Sequence, residues 1–158
     1  MKLPRFGTVG RHSITAAVSI AVSMAAAFEG YVPVARPDPI GVPTYCYGET
    51  TNVQPGRVFT KDECKALLKV RIAQFANGID KCITVEVPDK ALASFIDLSY
   101  NIGTGAFCKS TLVKKLNAGD LAAACNEIMK WNRAGGRVLR GLTIRRRAEA
   151  EQCLEDAT

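Results

Sequence analysis

Between residues 33 and 43 the chain carries four prolines, Pro33, Pro37, Pro39 and Pro43, with Gly41 among them. Proline lacks a backbone N–H and clashes with the preceding helical turn, so no helix can cross this stretch. A helix arriving from the N-terminal side must close near Glu29. Asp38 and Thr44 must then sit on extended or turn backbone. The segment Phe28 to Thr50 thus sets one carboxyl at a helix end, a second on a stiff non-helical frame, and a hydroxyl shortly after it. Such a layout suits two carboxyl groups facing each other across a groove.

The chain has 158 residues, enough for one domain with a real core. Its net charge of +6 implies an acidic partner such as nucleic acid, an anionic membrane surface or a cell-wall polymer. Six cysteines, at 46, 64, 82, 108, 125 and 153, include no CxxC pair, and the single histidine, His12, precedes them all. These spacings do not suit zinc, so no metal site is expected. A disulfide framework is the better reading, with buried free thiols as the alternative. Oxidised pairs need an oxidising compartment, which puts the domain outside the cytoplasm.

The N-terminus agrees with export. Lys2, Arg5 and Arg11 precede an uncharged run of 17 residues up to Glu29, which as helix would span roughly 25 Å, at the short end of what crosses a bilayer core. The run is rich in Ala and Ser, so it would hold in a membrane only weakly. Ala25-Ala26-Ala27 also offers a signal-peptidase site, but cutting there would leave Glu29 as the second residue with no helix to hold it. An uncleaved signal anchor over residues 1–28, followed by a domain over 29–158, is therefore expected. A buried soluble helix is disfavoured because the Ala and Ser show no single polar face.

Beyond the prolines, short β-prone pieces alternate with turns up to Phe59, which predicts one small antiparallel sheet. Thr60 and Glu63 form a capping box for a helix ending near Asn77-Gly78. A helix with Pro88 in its first turn should stop at Asn101-Ile102-Gly103, where Gly105 argues against continuation. A short helix from Ser110 or Thr111 to Leu116, one from Asp120 to Lys130, a loop over 131–141 and a last helix from Thr143 to about Leu154 complete an α+β chain, mainly helical.

Cleaving a glycosidic bond requires an acid for the departing oxygen and, opposite it, a nucleophile or activated water. Glu29, after Phe28 at the end of an apolar helix, is where desolvation would keep a carboxyl protonated. Asp38 among prolines would be rigid, and Thr44 could fix a water. Spacing alone nevertheless favours three ordinary surface residues. Four blocks in order change that: Glu29-x8-Asp38-x5-Thr44 with Tyr47-Gly48; Tyr100-Asn101-Ile102-Gly103-x-Gly105-Ala106-Phe107 with Ser110-Thr111-Leu112; Trp131-x-x-Ala134-Gly135-Gly136; and Gly141-Leu142 with Arg145-Arg146-x-x-Glu149. Over about residues 28 to 154 the chain resembles the phage lysozymes of glycoside hydrolase family 24. Its N-terminus resembles the signal-anchor-release endolysins of lambdoid phages, in the subtype without an anchor cysteine.

The resemblance implies a lysozyme-like fold and an enzyme that hydrolyses the β-1,4 bond between N-acetylmuramic acid and N-acetylglucosamine. It assigns Glu29 as general acid, Asp38 and Thr44 as the residues that position the attacking water, and Tyr100 and Ser110 as lining of the sugar cleft. It also implies inversion, with the carboxyl groups roughly 6.5–9.5 Å apart. The expected partners are peptidoglycan strands, the host inner membrane through the N-terminal segment, and the host secretion machinery. The chain would be tethered and inactive, then released into the periplasm as a monomer, with no cofactor and no nucleic acid.

From relatives' cysteines the resemblance implies Cys46–Cys64 and Cys125–Cys153, leaving Cys82–Cys108; on the residues alone fifteen pairings are open. Where the family usually has histidine after Gly-Tyr-Gly this chain has Glu49, which predicts a rearranged local ion pair or hydrogen bond. The Arg-rich segment 137–147 reads as a solvated helix face or as a lure for anionic envelope polymers. A lytic transglycosylase and a non-catalytic wall-binding protein are the alternatives to the hydrolase.

Overall fold

The computed structural model describes residues 10–158, and side chains from Thr15 onward. The expected basic front at Lys2 and Arg5 lies outside the described residues. Helix α1, Gly10–Glu29, leads into the hairpin β1 (Val32–Pro37) and β2 (Pro43–Cys46). Then come α2 (Lys61–Asp80), α3 (Asp89–Ile102), α4 (Thr104–Cys108), α5 (Thr111–Asn117) and α6 (Leu121–Glu127). A 3-10 turn at Ile128–Lys130, a second hairpin β3 (Arg133–Ala134) and β4 (Arg137–Val138), and α7 (Arg140–Glu155) end the chain. The fold is the mainly helical α+β architecture that the sequence predicts.

The core forms around α3, whose residues Ala91 to Ser99 are all buried. Helices α1, α2 and α7 each pack on it. In α1 the buried row is Ala17, Ala21 and Ala25, with Val18 beside it, and the opposite row, Thr15, Ser19, Ser23 and Ala27, faces out. The helix is therefore two-sided, contrary to the reading that its Ala and Ser share no face. Small side chains repeating every four residues stack along one stripe and let two helix backbones approach closely.

Several boundaries differ from expectation, each for a local reason. Helix α2 continues through Gly78 because the glycine is a packing position: a Cβ there would lie 2.9 Å from Thr104 Oγ1. Gly103, at φ +93°, ends α3, yet the chain turns at once into α4, which includes Gly105. Pro88 caps α3 from outside instead of sitting in its first turn. Asp120 accepts from Ala123 N as expected, but α6 gives way to the 3-10 turn at Ile128. The 131–141 loop holds the two-residue strands of the second hairpin, and α7 begins at Arg140, three residues before Thr143.

Disulfides Cys46–Cys64, Cys82–Cys108 and Cys125–Cys153 close in the order that the resemblance implied. Each closes a loop of this size in the unfolded chain and so stabilises the fold by roughly 3–4 kcal/mol in the chain-entropy account. The first ties the hairpin to α2 at Cys46, a non-glycine residue at φ +55°. Such a backbone costs of order 1–3 kcal/mol and persists where its surroundings over-determine it.

Candidate active site

Helix α1 ends at Glu29 because Gly30, at φ +76°, turns the chain into β1. The Glu29 side chain is 27% exposed, and its Oε1 accepts from Arg145 Nη1 at 2.7 Å. The apolar setting expected for Glu29 is thus corrected: its nearest partner is a guanidinium, which also lies 5.2 Å from the Phe28 ring.

Arg145 is buried and reaches three carboxyls. Its Nε and Nη2 donate to Asp97 at 3.2 and 3.0 Å, and its Nε lies 3.6 Å from Glu149 Oε1. Burial works against its charge, but Asp97 and Glu29 hold the guanidinium more firmly protonated than a free arginine. Neighbouring Arg146, fully buried, donates to Glu149 Oε1 at 2.6 Å and to Asn101 Oδ1 at 2.8 Å. The solvated-face reading of 137–147 therefore fails at Arg145 and Arg146, while Arg137, Arg140 and Arg147 are exposed.

Glu29 opens on a cavity of about 340 Å³ lined by Gly48, Thr50, Thr51, Arg71, Phe75 and Tyr100. Tyr100, on α3, stands edge-on to Phe75 and donates to the Tyr47 carbonyl at 3.0 Å. Burial, with the nearby Glu29 and Glu49 carboxylates, pushes its hydroxyl up to about 12, so it remains a neutral donor. Gly48 is held at φ +96°, a backbone that favours glycine, and a Cβ there would make ordinary contacts, 3.7 Å from Tyr100 Oη and 3.8 Å from Glu29 Oε2. Glu49, buried, takes Arg71 Nη2 at 3.0 Å, an ion pair at the position where the family pattern predicted a change. That carboxylate raises the Arg71 guanidinium above its usual range.

Asp38 and Thr44 belong to the first hairpin and are not among the residues lining this cavity. Asp38 begins the connection between β1 and β2, where its Oδ1 accepts from Ile40 N at 3.0 Å and Val42 N at 2.8 Å. An aspartate bonding the backbone two residues on shapes its own turn. Thr44, on β2 opposite Arg36, donates to the Val42 carbonyl at 3.1 Å. Ser110 caps α5 by accepting from Val113 N and donates to the Phe107 carbonyl. It lines a second cavity, of about 210 Å³, with Trp131, Lys130 and Glu127. Tyr100 is therefore the predicted cleft residue that shares a cavity with Glu29.

The phage lysozyme family profile matches residues 26–149. The chain belongs to the phage lysozyme family. It is 40% identical over 127 residues to the SAR-endolysin of Enterobacteria phage P21, a match covering 80% of this chain and 77% of that protein. The SAR-endolysin of Bacteriophage PS119 is 40% identical over 118 residues, covering 74% and 71%. Among solved structures, a point mutant of P22 lysozyme superposes with a TM-score of 0.80 at 28% identity, covering 86% of this chain and 96% of that one. This phage lysozyme is accordingly a glycoside hydrolase, a muramidase with a cell-wall-lytic role.

Sequence reasoning on this lysozyme missed Asp97, Arg71 and the buried role of Arg145 and Glu149. A signal existed for Asp97, which interrupts the apolar run Phe95-Ile96-Leu98 on a buried helix. A charge at such a position calls for a buried partner.

Proposed function

We propose that the protein is an endolysin that hydrolyses the β-1,4 bond between N-acetylmuramic acid and N-acetylglucosamine with inversion. The observation that carries this reading is Glu29 at the mouth of the 340 Å³ cavity, held by Arg145 and faced by the neutral Tyr100 hydroxyl. The entering sugar displaces Arg145 from Glu29, which then takes a proton from solvent and passes it to the departing glycosidic oxygen. The two turn bonds of Asp38 use Oδ1, which leaves Oδ2 to take a proton from the attacking water. Thr44, which donates to Val42 O, keeps its lone pairs for that water's other hydrogen. Glu29→Gln should lower muramidase activity by at least about 10²-fold while the protein stays folded. Retention of activity would overturn the assignment. The first-formed anomer, followed by NMR, tests inversion, and a 1,6-anhydro product would indicate a lytic transglycosylase instead.

Residues 1–28 are proposed as an uncleaved anchor that the host secretion machinery inserts in the inner membrane, from which the enzyme is released to the periplasm. The SAR-endolysin relatives support this, as does the small-residue stripe by which α1 packs on α3. Among the described residues no helix is long and apolar enough to cross a membrane. Protein recovered from the envelope should keep its N-terminus. A mass lacking residues 1–27 would end this model.

A further inference from the structure

Arg71, on α2, is the one basic residue among those that line the cavity with Glu29. Its side chain is 37% exposed, so the guanidinium is neither sunk in the core nor loose in solvent. A single bond steadies it: Nη2 donates to Glu49 Oε2 at 3.0 Å. Glu49 is a stiff anchor, buried, with its backbone N–H and carbonyl both bonded to Tyr45 at 2.9 and 3.0 Å. It follows Gly48, a position in contact range of Glu29 and Tyr100, so the anchor is part of the wall of the site. A guanidinium carries five N–H donors in a planar fork. Among the described residues Glu49 is the acceptor that Arg71 meets, which leaves Nε and Nη1 for a ligand. Arg145 differs, because each of its three nitrogens is already engaged by Asp97 or Glu29.

The two sugars of a peptidoglycan strand are both N-acetylated. What tells muramic acid from glucosamine is the lactyl ether on O3, which ends in a carboxyl group or carries the stem peptide through it. An enzyme that cuts after muramic acid and not after glucosamine has this side chain to sense. We propose that Arg71 is a specificity-determining residue, whose Nε and Nη1 take a carboxylate on the muramic acid side chain when that sugar lies beside Glu29. The planar fork suits two parallel bonds to a carboxylate, and the half-buried setting makes such a contact stronger than one in open water. Glu49 holds the arm in place and balances its charge while the cavity is empty, so the cation is not desolvated alone. Where the family pattern has histidine, Glu49 thus supplies the negative charge that holds an arginine at the cleft.

The inference rests on the reading of this cavity as the muramidase cleft. Steady-state kinetics on the full chain test it with soluble glycan strands of three kinds: bearing stems, stripped of stems so that the lactyl carboxylates are free, and stripped then amidated with methylamine so that no carboxylate remains. The double variant Glu49→Gln/Arg71→Gln removes both charges together and leaves no buried ion behind. Its KM should rise about tenfold on strands that carry carboxylates and clearly less on the amidated ones, with the effect in KM and not in kcat. A rise on the stripped strands assigns the lactyl carboxylate, and a rise confined to stem-bearing strands assigns a carboxylate of the stem. An equal rise on all three, or a loss confined to kcat, overturns the proposal. If the double variant does not fold, Arg71→Lys keeps the ion pair and replaces the fork by a point charge. Its KM on carboxylate-bearing strands should rise severalfold, and an unchanged KM overturns the proposal. Activity retained in Glu29→Gln would refute the cleft itself, whereas an inactive Glu29→Gln with no carboxylate preference at Arg71 would refute the present inference alone.

Discussion

The hairpin that carries Asp38 and the cluster that carries Asp97 solve the same problem in opposite ways. Asp38 sits near solvent and satisfies one oxygen with backbone amides two and four residues away. Asp97 is fully buried and relies on a guanidinium from a helix 48 positions later in the chain. A carboxylate held by its own turn can be changed with little structural consequence, because water replaces what is lost. One held by distant charges cannot, since removal of either partner leaves an uncompensated buried ion.

That contrast can be broken by substitution. Arg145→Ala should give the largest effect, destabilising the fold by about 3–5 kcal/mol and removing the hold on Glu29. Urea denaturation with a lytic assay reads both, and a stable, active variant would sink the ion-cluster account. Asp38→Asn should instead cut turnover by about 10²–10⁴-fold while altering stability by less than about 1 kcal/mol. Equal losses of stability in the two variants would erase the distinction between hairpin and cluster.

Smaller effects sharpen it. Because burial raises the Glu149 carboxyl in the folded state, the unfolded chain loses this proton first as pH increases. Its contribution is therefore fully present below the ordinary carboxylate range and gone above about 9. Melting temperature should fall over that window, by at most about 1.4 kcal/mol of stability per pH unit, and the fall should be shallower in Glu149→Gln. Gly48→Ala should cost about 1–2 kcal/mol for the left-handed backbone and narrow the space between Tyr100 and Glu29. Glu49→Gln, opposite a half-exposed Arg71, should cost about 1 kcal/mol or less by thermal melts.

Local signals were legible in the chain, and distant ones were not. Prolines forced a break after Glu29, and Thr60 with Glu63 forms the capping box that starts α2. Both act within four residues and need no partner. Gly78 misleads because its reason, Thr104, lies 26 positions away and across a packed interface. The arginines of α7 mislead in the same way: Arg145 and Arg147 look alike in sequence, and only the position of α3 decides that one is buried and the other exposed. Glu29 was found through a motif, whereas the charges that orient it could be found only once three helices had been brought together.

Glu29 is the final residue of a helix whose grip on the domain is a stripe of alanines at 17, 21 and 25. An α-helix advances 1.5 Å and rotates about 100° per residue, so the stripe and the acid are locked in phase like teeth on one shaft. Inserting a single alanine between Ala25 and Glu29 would barely change composition and would keep every side chain of the site. The carboxyl would nonetheless swing off Arg145 and out of the cavity. The length of α1 therefore acts as a gauge: the contact between Glu29 and Arg145 forms only when the right number of residues separates the docked stripe from the carboxyl.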